Sequence, residues 1–292
     1  MDEPRAPLDP RLTWDLPPFG EMPRTEELSP LVTRIVAPNP SHMTLDGTNT
    51  YVLGGPGTGA VVIIDPGPDS AEHLERVCGV VADRDAEVVA IAVTHHHIDH
   101  TEAAHTWGGV FDCPVHAPRP EDAGPSGRVL DDGDRLDVPG LEVEVVATPG
   151  HCHDHVAYRL GDGALLTGDH VLGRGTSVVA HPDGDLTAYL ASLRRTLDLG
   201  ADVLHPGHGP SLAEDPGAVL RFYEEHRAYR RAQVVAALAA GPMTPAALVA
   251  TIYADVDRML WPAAEASTRA TLHALEREGV VRLEGDGARL TG

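Results

Sequence analysis

The sequence predicts an α/β fold, a layered sandwich with its chemistry on the loops, followed by a small helical module. Three observations carry this. Short apolar, β-branched runs bounded by glycine and proline alternate with helically spaced segments through the first 210 residues. Polar, histidine-bearing loops follow several of those runs. After Pro210 the alternation gives way to alanine- and arginine-rich helical stretches.

Taken in order, residues 1–30 carry many prolines and little periodicity, and are expected as an extended N-terminal arm. The runs LVTRIVA, TNTYVLGG and AVVIIDPGP read as strands from their length, branching and boundaries. Leu74, Val77 and Val81 place a helix over residues 70–82, and VVAIAV (88–93) is a buried strand. TEAAHTWGG opens a helix, and LEVEVVATPGH alternates before turning at Pro149-Gly150. GALLTGDH and ADVLHPGHGP are strands that end in loops, separated by an amphipathic helix, LTAYLASLRRTLDLG, that Gly200 stops. Residues 216–240 form a long helix. TPAALVATIY starts with a capping threonine and a proline at the first helical position. AEASTRATLHALEREG is a third helix ending at Gly279, and VVRLEGDGARLTG a hairpin around Gly-Asp-Gly. Helix, helix, helix and hairpin is the order of a winged helix. The expected division is the arm at 1–30, a catalytic domain at 31–212, and a helical linker with a winged-helix-like domain at 213–292.

Composition narrows the function. The formal net charge is −22, and all 22 basic residues are arginine, because lysine is absent. Residues 1–210 hold 13 arginines against 33 acids, and residues 211–292 hold 9 against 11, so the acidity belongs to the first domain. Such a surface repels phosphate polymers. The sequence has no run of 18 apolar residues, so no membrane span is expected, and the acidic, proline-rich start does not read as a secretory signal. Three cysteines make no disulfide framework, so a reducing cytoplasm is the expected location.

The chemistry concentrates in VTHHHIDHTEAA (93–104). In an extended segment residues two apart point the same way, so His95 and His97 can grip one ion together. Asp99 and His100 lie where the chain turns into a helix and can reach a second. Imidazole with carboxylate suits zinc, and also iron or manganese. Later loops offer further ligands: His151 in ATPGHCHDH, Asp169 in LLTGDH and His208 in LHPGHGP. His96 points away from its neighbours and is expected not to ligate. The same holds for His205, three residues before His208, and for His153, His155 and His170, which are expected to pack or to hydrogen-bond around the site. Cys152 is expected to be a buried, inert thiol, and His42, His105, His116 and His181 are given no role.

These motifs, with Asp65 in VIIDPGP, occur in the order found in the metallo-β-lactamase-fold hydrolases, which the chain resembles over residues 33–210. The resemblance implies an αββα sandwich and two zinc ions per chain. It implies that His95, His97 and His151 hold the first metal, that Asp99, His100 and His208 hold the second, and that Asp169 bridges them. Asp65 would be a buried carboxylate behind the ligands. Two dications about 3.5–4 Å apart acidify a bridging water to hydroxide, and Asp99 is the expected catalytic residue accepting its proton.

Within the superfamily, GTNTYVLG, TPGH, TGDH, HPGHGP and the C-terminal module resemble the beta-lactamase-like protein 2 group. That group is linked to single-stranded RNA cleavage, and related fungal enzymes act as thioesterases. A small thioester, ester or lactone is therefore the expected substrate, with an endoribonuclease acting on single-stranded RNA as the alternative. Only 38 residues separate Asp169 from His208, too few for the inserted domain of the larger nucleases. The third C-terminal helix holds Arg269 and Arg277 among Glu265, Glu276 and Glu278, so specific DNA binding is not expected. The module is expected to cover the active-site mouth or to make a homo-oligomer contact.

Overall fold

The computed structural model describes residues 5–55 and 57–291. Two sheets lie face to face. The first holds six strands in the order β1 (Thr25–Ser29), β2 (Val32–Val36), β3 (Asn49–Leu53), β4 (Ala60–Ile64), β5 (Glu87–Ala92) and β6 (Val115–His116). The second runs β7 (Arg135–Val138), β8 (Leu141–Ala147), β9 (Val156–Leu160), β10 (Ala164–Gly168) and β11 (Val203–Pro206), with β7 and β11 at its edges. Between the sheets Val32, Tyr51, Leu53, Val62 and Ile64 pack against Val143, Val145, Tyr158 and Leu166. The outer face of the first sheet is covered by α1 (Ala71–Asp83) and by α3 (Ala104–Phe111), which follows the single turn α2 (Ile98–Thr101), with Val77, Val81 and Trp107 buried against Ile63 and Ile91. The outer face of the second is covered by α4 (Leu186–Leu199) and the first half of α5 (Pro216–Leu238), through Tyr189, Leu193, Val219, Phe222 and Tyr223. Helix, sheet, sheet, helix is the expected αββα layering. Each sheet buries both faces, which is why β2, β3 and β10 are buried at every position and show no alternation.

Of the extended arm expected over residues 1–30, residues 1–4 lie outside the described residues, and within 5–30 the arm is shorter. Thr25–Ser29 is an edge strand, antiparallel to β2, with Glu26 paired to the buried Arg34. Its sequence is polar because an edge strand is held by ladder hydrogen bonds and needs no apolar stripe. The remaining arm is anchored by Arg11, whose Nη1 donates to Leu172 O at 2.7 Å and whose guanidinium lies over the rings of Phe222 and Tyr223.

Past residue 234, α5 joins a second core with α6 (Pro245–Ile252), α7 (Trp261–Arg277) and the hairpin of β12 (Val281–Glu284) and β13 (Gly287–Leu290). Leu238, Leu248, Leu272, Leu275 and Val281 fill it. Arg277 Nη1 pairs with Asp185 at the cap of α4 (2.5 Å), tying this module to the sandwich.

Strand direction positions the site. β4 and β5 are parallel, as are β10 and β11, and β8 runs the same way as β10. The C-terminal ends of all five meet at one edge of the sandwich and deliver Asp65, His95, His151, Asp169 and His208 there.

Candidate metal centre

Two groups of side chains converge at that edge. His95 Nε2 lies 3.0 Å from His97 Nδ1, and His97 Nδ1 lies 3.0 Å from His151 Nε2, with Asp169 Oδ2 3.7 Å from His151 Nε2. In the second group Asp99 Oδ2 and His208 Nε2 are 3.2 Å apart, and His208 Nε2 and His100 Nε2 are 3.3 Å apart. Asp169 Oδ1 faces this second group, at 3.3 Å from His208 Nε2 and 3.4 Å from His100 Nε2. One carboxylate therefore addresses both groups, one oxygen to each.

The histidines are held by their other nitrogens. His151 Nδ1 donates to Val178 O at 2.6 Å, and His208 Nδ1 to Gly47 O at 3.2 Å. His100 Nδ1 donates to Asp65 Oδ2 at 2.9 Å. His95 Nδ1 donates to Thr94 Oγ1 (2.9 Å), which in turn donates to Asp65 Oδ2 (2.9 Å). With those protons committed, His95 Nε2 and His151 Nε2 both turn lone pairs toward His97 Nδ1, an arrangement that a cation would relieve. Asp169 Oδ1 is buried and makes no hydrogen bond. A Cβ on Gly207 would stand 2.7 Å from Asp169 Oδ1 and 2.8 Å from His100 Cε1, so only glycine leaves this space open. Donor type, orientation and orphaned oxygen all fit divalent metal.

The backbone is shaped for this. Asp65 has φ 51°, in the left-handed region that asparagine and aspartate tolerate best. Its carboxylate is fixed there by Thr94 N at 2.7 Å in addition to Thr94 Oγ1 and His100. The His208 loop is pinned by Asn49, whose Nδ2 donates to Pro206 O and Gly209 O, both at 2.8 Å.

Electrostatics separate the two groups. Burial, followed by neighbouring imidazoles, holds His95 well below its ordinary value, and burial takes His97 down to about 4. Both are neutral, the form that ligates. At His208 burial again pulls down, but Asp169 and Asp99 override it and raise the group to about 9. His100 is raised in the same way, against its burial, by Asp99, Asp65 and Asp169. The open side of the site is formed by His97 and Asp99, whose side chains are 37% and 28% exposed.

The other histidines lie where no shared cluster with Asp169 forms. His205 Nδ1 faces Ser211 Oγ at 2.9 Å, and His170 Nε2 faces Thr196 Oγ1 at 3.1 Å. His155 Nε2 accepts from Asp169 N at 3.0 Å and so fixes the backbone of that aspartate. His96 and His153 turn outward to Asp154 (2.7 Å) and Asp183 (2.5 Å). Cys152 is buried, and burial pushes its thiol far up. Sequence reasoning missed Thr94, Asn49, Ser177 and the Val178 carbonyl. Asn49 sits within the noted GTNTYVLG stretch, but nothing in that stretch signals which loop it pins.

Fold and site together define a class. The chain belongs to the metallo-beta-lactamase superfamily, a family of metal-dependent hydrolases, whose model matches residues 43–208, and the beta-lactamase associated winged helix domain matches residues 244–289. It is 32% identical to the beta-lactamase-like protein 2 homolog of Drosophila melanogaster, over 90% of this chain and 93% of that one. It is also 32% identical to a protein of Aspergillus chevalieri named atrochrysone carboxyl ACP thioesterase, over 93% of this chain and 85% of that one. A beta-lactamase domain protein from Burkholderia ambifaria shares the fold, with a TM-score of 0.80 at 23% identity over 96% of each chain. Divalent metal binding is implied by the superfamily. No helix among the described residues is long and apolar enough to cross a membrane.

Proposed function

We propose that this chain hydrolyses a small acyl substrate, a thioester first and an ester or lactone next, using two divalent ions, with zinc the first choice. His95, His97 and His151 would hold one ion, Asp99, His100 and His208 the other, and Asp169 both. When bound, such ions supply an acidified water and a Lewis acid at neutral pH. The chain's own residues do the rest. Asp65, Thr94, Val178 and Gly47 orient the imidazoles through their Nδ1 protons. Asp99 Oδ2 faces His208 and its side chain is 28% exposed, so Asp99 is the group proposed to take a proton from the attacking water.

The observation that carries the substrate class is the relative named as an ACP thioesterase, matched over nearly the whole chain. Charge supports it: 33 acids against 13 arginines in residues 1–210 offer no basic track for a long RNA. We place the chain in the cytoplasm on its three free cysteines. Metal-loaded enzyme should hydrolyse simple acyl thioesters, and Asp99→Asn should abolish turnover while at least one ion is retained. Brisk cleavage of single-stranded RNA at physiological salt, with thioesters and lactones untouched, would sink the reading.

A further inference from the structure

A cavity of about 220 Å³ lies between the segment 176–178 and the C-terminal helices, and α5 presents Arg227 and Arg230 to it from positions three apart. Arg227 is 8% exposed. Its Nη2 donates to Ser177 O and its guanidinium lies 5.1 Å over the Tyr189 ring, but its Nε has no acceptor. Arg230 stacks 4.3 Å over Tyr253 and donates Nη1 to Gln233 Oε1 and Ile252 O, and its Nε is likewise without an acceptor. Neither guanidinium reaches a carboxylate among the described residues, in a chain with twice as many acids as arginines. The nearby Asp9 is already paired with Arg11 at 2.7 Å.

Burying the Arg227 guanidinium without a counter-charge is costly, and the half-buried Arg230 adds a second charge beside it, so the pair marks a place where an anion completes the structure. His226, on the same helix and lining the same cavity, reports the field. Burial first, and then the charges of Arg227 and Arg230, press its imidazole down to about 3. We propose that this cavity is an oxyanion pocket that takes one carboxylate or phosphate group between the guanidiniums of Arg227 and Arg230. The pocket adjoins the metal centre through one segment of chain: Ser177 Oγ and Val178 O, which line it, both contact His151 Nδ1 (3.1 Å and 2.6 Å). An anion that draws Arg227 from Ser177 O therefore acts on the residues that orient His151. The group could be the far end of a substrate or a free anion in solution, and the chemistry of the pocket is the same for both.

The test uses the full, metal-loaded chain and inorganic phosphate or acetate as the probe, with the His226 ring proton followed by NMR. A saturable shift is expected, weakened about tenfold or more in Arg230→Gln through loss of a charge-assisted hydrogen bond. Arg227→Gln is the second variant, and a fall in phosphate affinity in either folded variant supports the pocket. Absence of a saturable shift in the parent chain, or an affinity unchanged from the parent in both folded variants, overturns it. KM values then assign the source. A rise confined to thioesters with a distal carboxylate or phosphate marks a substrate arm, and equal KM values with phosphate still bound mark a free anion. The NMR readout needs no turnover, so its failure is distinct from failure of the thioesterase reading.

Discussion

Asp65 and His100 form a buried pair, with the imidazole Nδ1 2.9 Å from the carboxylate, and the same oxygen accepts the Thr94 hydroxyl that holds His95. One carboxylate thus orients one imidazole of each group. Asp65→Asn keeps a residue that tolerates φ 51° but weakens its acceptor and adds a donor beside His100. Metal affinity should fall about 10–100-fold while the fold is retained. Equilibrium dialysis against zinc, with circular dichroism as the control, checks this, and unchanged affinity would show that Asp65 serves packing alone.

The division of Asp169 between two groups predicts two metal equivalents per chain by elemental analysis. His151→Ala should weaken chiefly one site and His208→Ala the other, whereas Asp169→Asn should weaken both. His205→Ala should spare both, since its ring faces Ser211. A stoichiometry fixed at one under saturating zinc contradicts the shared-aspartate arrangement.

Truncation should behave differently at two points on α5. Val219, Leu220, Phe222 and Tyr223 belong to the core of the second sheet, and Tyr223 Oη accepts from Leu172 N at 2.9 Å. Each large apolar side chain so buried contributes about 1.5–3 kcal/mol. A chain ending at residue 212 uncovers that face and should aggregate, whereas one ending at residue 242 keeps the α5 side chains on it, loses Ala270 and bares Val234 and Leu238, and should aggregate less. Light scattering separates the two outcomes, and a well-behaved 1–212 fragment would refute the role given to α5.

Stability should fall on mild acidification. His73 is buried against Thr50 and Trp107, and burial, aided by Arg76, lowers its imidazole to about 4. The unfolded chain takes up this proton near pH 6.5, whereas the folded chain resists until about pH 4. The residue's contribution is therefore full at pH 7 and shrinks as pH falls between those values, by about 2 kcal/mol at pH 5 and about 3 kcal/mol in all. Urea denaturation at pH 7 and pH 5 should show a smaller drop for His73→Gln than for the parent chain. Equal drops would mean that His73 titrates normally.

The residues that carry chemistry were the easiest to read, because ligand loops need particular side chains at fixed offsets from strand ends. His95, His97, Asp99 and His100 declare themselves in six residues, and Pro-Gly turns flag His151 and His208. What escaped was held by backbone. β1 is polar because it lies at an edge, and β6 has only two residues. β7 alternates over four positions only, too short a run to stand out beside an acidic turn. The grip of Val178 O on His151 spans 27 residues and uses a carbonyl that every amino acid has, so no side-chain pattern announces it. Local spacing names the ligands, and long-range packing names what holds them.

The clasp made by Arg11 sets an order of events during synthesis. Its guanidinium caps carbonyls 161 and 164 residues downstream and rests on rings carried by α5. A nascent chain exposes the arginine early but cannot seat it fully until that helix has left the ribosome, so the strap closes after both sheets have been made. Leu172 and Gly175, the carbonyls it fastens, lie just beyond Asp169 and just before Ser177. The loop that joins the shared aspartate to the buttress of His151 is thus locked from outside, after both sheets are complete, by a segment remote from the chemistry.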